Sequence, residues 1–99
     1  MDYVFRRGNI EDYYCSFLTL DNKEAATVVD PKITIRHIDA TYNLITDINE
    51  APMILVGENT YYFRWNIPSN AYLGTYNCEC QAVIDGEYAE QNEMIMVKP

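Results

Sequence analysis

The sequence predicts an all-β fold, a single antiparallel β-sandwich of about seven strands over residues 1–99. Three observations carry that prediction. Apolar and polar residues alternate with period two, turn residues interrupt them roughly every ten positions, and no stretch has the 3.6-residue apolar period of an amphipathic helix. The length suits one ordinary domain, with no linker, low-complexity segment or internal repeat. Apolar residues make up 48% of the chain, enough for a core that needs no metal or disulfide.

The first expected strand is "YVFRRG", closed by Gly8. "YYCSFLTL" (13–20) is the second, followed by "DNKE", whose Asn and Asp bond their own backbone in turns. After Pro31, "KITIRHI" puts Ile33, Ile35 and His37 on one face and Lys32, Thr34 and Arg36 on the other. "TYNLITDI" follows, then Pro52 interrupts before "MILV", which Gly57 closes. "TYYFRWNI" sets Tyr61, Phe63, Trp65 and Ile67 on one face, and Pro68 makes "PSNAYLG" a connecting loop. In "TYNCECQAVI" the residues Tyr76, Cys78, Cys80, Ala82 and Ile84 share a face. Asp85–Gly86 is a hairpin signal, since a type I′ turn needs positive φ at both central positions. "EYAEQNEMIMV" is the returning strand.

Net charge is −8, from fifteen acidic residues against seven basic ones. Nucleic acid and anionic membranes require clustered Lys and Arg, so neither is an expected partner. The longest apolar run is far short of the roughly 20 residues of a spanning helix. The opening "MDYVFRRGNIEDYYC" contains no apolar signal core, so the expectation is synthesis in the cytoplasm.

Three cysteines, Cys15, Cys78 and Cys80, are an odd set that suits a reducing compartment better than a disulfide scaffold. Alternation places Cys78 and Cys80 on the apolar stripe between Tyr76 and Ala82, where a free thiol behaves as a small hydrophobe. Zinc would need more ligands than Cys15 and the lone His37 can add, so no metal is expected.

No enzyme is expected either. His37 shares the face of Ile33 and Ile35, which suits a structural role. The acidic pairs Glu11–Asp12 and Asp47–Glu50 are the kind any acidic surface offers. No glycine-rich phosphate loop is present, and "DINE" lacks the dense acidic pattern of a calcium loop. The expected catalytic residues, cofactors and metals are therefore none.

Nine tyrosines stand against three lysines. Tyrosine is enriched and lysine depleted at protein interfaces, because a stiff amphipathic ring offers contact area at low entropic cost. The expected interface residues are Tyr62, Arg64, Tyr72, Leu73 and Tyr88. The expected core comprises Cys15, Ile33, Ile35, Phe63, Trp65, Tyr76, Cys78 and Cys80.

Near the N-terminus, "FRRGNIEDYYCSFLTLDNKEA" has a basic-Gly turn, an aromatic strand and a polar hairpin. Near the C-terminus, "YYFRWNIPSNAYLGTYNCECQAVIDGEYAEQNEMIMVK" has a Pro-containing loop, a G-x-Y strand, an Asp–Gly hairpin and a last strand ending in a basic residue. Together they resemble the small immunoglobulin-like β-sandwich domains of tailed-phage virion proteins, such as the N-terminal domain of baseplate upper proteins and head-decoration domains. That resemblance implies a structural virion protein, made in the host cytoplasm, that docks on capsid, tail or baseplate subunits and is compatible with homo-oligomers. "GTYNC" is similar to the G-x-Y-x-C of immunoglobulin domains, where the Tyr forms the tyrosine corner and the Cys bridges the sheets. This implies that Cys15 and Cys78 share one core, and the missing export signal implies that they are reduced. Two alternatives stay open: a carbohydrate- or receptor-binding sandwich whose tyrosines stack on sugar rings, and an excised repeat of a bacterial surface adhesin.

Overall fold

The computed structural model describes residues 3–17, 27–57 and 60–99. They form eight strands: β1 (Tyr3–Arg6), β2 (Ile10–Ser16), β3 (Val28–Ile38), β4 (Leu44–Pro52), β5 (Ile54–Gly57), β6 (Thr60–Asn66), β7 (Gly74–Ile84) and β8 (Glu87–Lys98). A five-stranded sheet, ordered β1-β8-β7-β3-β4, and a three-stranded sheet, ordered β2-β6-β5, enclose one core. The fold is all-β and sandwich-like, with one strand more than the approximate seven expected.

One pairing departs from the antiparallel expectation. β1 runs parallel to β8, from Tyr3 beside Ile95 to Arg6 beside Lys98. The turn at Arg7–Asn9 sends the chain directly into the other sheet, and Gly8 takes φ 82° there. Gly8 N–H donates to Ile67 O at 2.9 Å, and Ile67 N–H donates to Asn9 O at 3.0 Å. β1 therefore cannot fold back on β2, and it covers part of the β8 edge instead.

Three strand limits also differ from expectation. β2 starts at Ile10, because the Gly8 turn is short; residues 18–26, with the expected end of that strand and the "DNKE" turn, lie outside the described residues. β3 starts before Pro31: Asp30 adopts φ 57° and the pairing with β7 shifts between Val29 and Lys32, a bulge that accommodates a residue with no N–H. β4 runs on to Pro52, and the chain then changes sheets at buried Met53, whose N–H donates to Pro31 O at 2.9 Å.

Thr34, expected on the outer face with Lys32 and Arg36, is buried as well, because β4 covers it and its Oγ1 accepts from Glu50 N–H at 3.1 Å; along β7 the period-two reading of the sequence and the burial coincide. Tyr76, Cys78, Cys80, Ala82 and Ile84 are all buried along β7, facing Ile33 and Ile35 of the neighbouring strand and Ile95 and Val97 of β8. Tyr13, Cys15, Tyr61 and Trp65 close the core from the smaller sheet. Phe63, expected among them, packs against this core but is only partly buried. At the hairpin, Asp85 (φ 49°) and Gly86 (φ 86°) both take positive φ.

The two sheets are also tied by polar contacts. Tyr13 Oη donates to Glu93 at 2.7 Å, and Glu93 is the register neighbour of Cys78. Gln91, the register neighbour of Cys80, donates to Ser16 O at 3.0 Å. These contacts seat β2 so that Cys15 joins Cys78 and Cys80 in one buried core. All three cysteines are buried free thiols.

Candidate interaction surfaces

The outer face of the smaller sheet is built by register. Tyr62 on β6 lies between Tyr14 on β2 and Ile54 on β5, while Arg64 lies beside Asp12. The alternation that buries Tyr13, Tyr61 and Trp65 turns these neighbours outward. Tyr14 and Tyr62 rings sit 6.1 Å apart at 38°. Arg64 forks onto Asp12, Nε to Oδ1 at 2.9 Å and Nη2 to Oδ2 at 3.1 Å, and its guanidinium lies 5.7 Å from the Tyr62 ring centre. The hydrogen bonds from Arg64 hold the Asp12 carboxyl below its usual range. A fork of this kind fixes the guanidinium over the ring and leaves little rotamer freedom to lose on contact. Ile54 continues this surface, and with Leu55 and Val56 it makes three consecutive exposed apolar residues on the edge strand.

Tyr72 and Leu73 lie elsewhere, in the loop between β6 and β7. The Tyr72 ring stacks on His37, with centroids 4.8 Å apart and planes 14° apart. Tyr76 meets the same imidazole at 4.7 Å, and its hydroxyl donates to Tyr72 O at 2.6 Å. His37 Nδ1 is 2.6 Å from Asp47 Oδ2, so the histidine is held in a cage of two rings and one carboxylate. Tyr72 thus stands as a wall between two hollows, of about 670 and 360 Å³, that both reach His37. Gly74 completes the wall: it has φ 141°, and a Cβ there would lie 3.1 Å from the Tyr72 ring. Gly74→Ala is expected to cost about 1–3 kcal/mol through backbone strain and displacement of that ring, read as a lower denaturant midpoint.

Tyr88 occupies a third position, on the outer face of the larger sheet beside Val83, with its hydroxyl donating to Glu90 at 3.3 Å. The five residues expected at an interface therefore fall in three separate places: Tyr62 and Arg64 on the smaller sheet, Tyr72 and Leu73 in the loop between β6 and β7, and Tyr88 on β8 near the hairpin. Several prominent exposed side chains were not foreseen. Tyr42 is 91% exposed in the turn between β3 and β4 with φ 63°. That turn is braced by Asp39, whose Oδ1 accepts from Thr41 N at 2.9 Å, Thr41 Oγ1 at 2.8 Å and Asn43 N at 3.0 Å. The cluster of Asp, Thr and Asn around Tyr42 was the available signal, because such side chains bond locally and make turns.

Among the described residues, no group of three or more His, Cys, Asp or Glu side chains is placed to hold a metal ion, and no helix is long and apolar enough to cross a membrane. Comparison of the chain with family models, curated proteins and solved structures finds no match.

Proposed function

We propose that this chain is a non-catalytic structural module that binds other proteins through the outer face of its smaller sheet, as an accessory part of a tailed-phage particle with an immunoglobulin-like sandwich. The observation that carries the contact is the braced row Tyr14–Tyr62–Ile54 beside the Arg64–Asp12 fork. It joins exposed aromatic and aliphatic surface to a pre-positioned arginine, the residue types that anchor protein interfaces. The immunoglobulin-like reading is supported by the strand order of the two sheets and by the Tyr76 hydroxyl on Tyr72 O, the kind of bond made in a tyrosine corner. The phage setting rests on the motif resemblance, and the docking partner in that setting is a capsid, tail or baseplate subunit. A sugar-stacking role is less well supported, because the Tyr14 and Tyr62 rings are tilted by 38° and do not form one platform.

The test is sedimentation of native lysate from the source, with this chain followed by mass spectrometry. The expected result is co-migration with large particles at a fixed ratio to a structural protein. Tyr14→Ala with Tyr62→Ala should abolish that co-migration while costing about 1 kcal/mol or less in stability, since the pair is a cross-strand contact outside the core. A chain that stays at the top of the gradient would end the assembly reading and send the search to soluble ligands.

A further inference from the structure

The opposite face of the molecule has an unusual order along β8. Ile95 and Val97 are buried, so the even-numbered residues of this strand point outward. Read from the hairpin end, they are Tyr88, Glu90, Asn92, Met94, Met96 and Lys98. An aromatic and acidic end thus passes through a polar middle to an apolar and basic end. Neighbouring strands repeat the pattern. Tyr88 is flanked by Val83, with Val29 beyond it, near the acids Asp85 and Glu87. At the far end Val4 lies beside Met96 and Arg6 beside Lys98, while Ile38 and Leu44 are exposed on β3 and at the start of β4. Tyr88 and Leu44, one at each end, are 64% and 66% exposed. Such a surface is complementary to itself when turned end for end.

We propose that this face of the five-stranded sheet is the contact between two copies of the chain, packed face to face about a two-fold axis that crosses the strands. The axis brings Lys98 of each copy to the Tyr88–Glu90 end of the other. The contact closes on itself, because both ends are used twice in a two-fold pair. Polar groups in the middle of the face are already matched within each copy: the Arg36 charge lies with Nη1 2.9 Å from Glu79 Oε2, and the neutral Asn77 amide donates to Asn92 at 3.0 Å. Lys98 makes no ion pair among the described residues, so its charge is available to the second copy. With about 3.3 Å per residue and about 4.8 Å between strands, the five strands of this sheet present roughly 700 Å² per copy, close to the roughly 800 Å² per partner of a standard interface. This contact leaves the Tyr14–Tyr62 face free, and it stands whether or not the chain belongs to a virion.

Sedimentation equilibrium of the purified chain across the micromolar range tests it with a charge swap. The parent chain should form a dimer. Lys98→Glu alone and Glu90→Lys alone should each weaken it about tenfold or more, because both copies then oppose like charges. An equimolar mixture of the two variants should recover the parental affinity, since the mixed pair restores opposite charges at both ends. Unchanged thermal unfolding of each variant checks that the fold is kept, and Tyr14→Ala with Tyr62→Ala should leave the dimer intact. A parent that stays monomeric, assembly beyond a dimer, or a mixture that remains dissociated would overturn the proposal.

Discussion

Trp65→Ala is expected to cost about 3–5 kcal/mol of folding stability, as large aromatic truncations in a closed core do. In a domain of this size that lowers Tm by more than about 12 °C. Trp65 is buried on β6 and meets the Tyr76 ring edge-on at 5.4 Å, so its removal takes away area and also the support of the ring that cages His37. Phe63, two residues earlier on the same strand but partly exposed, should cost less when truncated, and outward-facing Tyr62 least of all. Thermal or denaturant unfolding of the three alanine variants checks the order Trp65, Phe63, Tyr62. A Tyr62 variant as damaged as the Trp65 variant would mean that the faces of β6 are assigned the wrong way round.

Alkali should destabilise the protein. Burial, with a smaller contribution from Glu93, pushes the Cys78 thiol from 9.0 up to about 12. Burial, followed by the Asp47 charge, raises the Tyr76 phenol from 10.0 to about 12. Burial and the hydrogen bond to Glu93 also raise Tyr13. Above about pH 9 the unfolded chain releases these protons while the folded chain keeps them, so the unfolded state binds fewer protons and stability falls as pH rises. The stabilisation is fully present below the unfolded values and is lost progressively up to about 12, where the Cys78 and Tyr76 groups of the folded chain titrate. Guanidinium midpoints measured from about pH 8 to about pH 11 should decline steadily. Cys78→Ala should be less stable at neutral pH yet show a shallower decline from about pH 9. A midpoint that stays level over this range would mean that the buried thiol and phenols are open to solvent.

Much of the core could be read directly from the chain. On β7 the period-two stripe from Tyr76 to Ile84 needed no tertiary information, because a strand buried on one face can place its apolar residues in only one way. The Asp85–Gly86 hairpin was legible for a local reason too, since both residues tolerate the positive φ that they adopt. The candidate contacts were harder to read. Tyr62 and Tyr72 look alike in sequence, yet one lies on an open sheet face and the other is stacked on His37. Alternation says that a side chain leaves the core, and says nothing of what awaits it outside.

By itself, then, the sequence determined the all-β class, the inward stripes and the main turns, because these depend on local φ preferences and on a two-residue period. Only the tertiary structure decided which strands became neighbours. Long-range register placed β1 parallel to β8, moved the chain between sheets at Met53 and brought Cys15 into one core with Cys78 and Cys80. It also brought Tyr14 of β2 beside Tyr62 and Ile54 of the distant β5–β6 pair to make one row. Such pairings are selected by the packing of the whole core, and a pattern read a few residues at a time does not contain them.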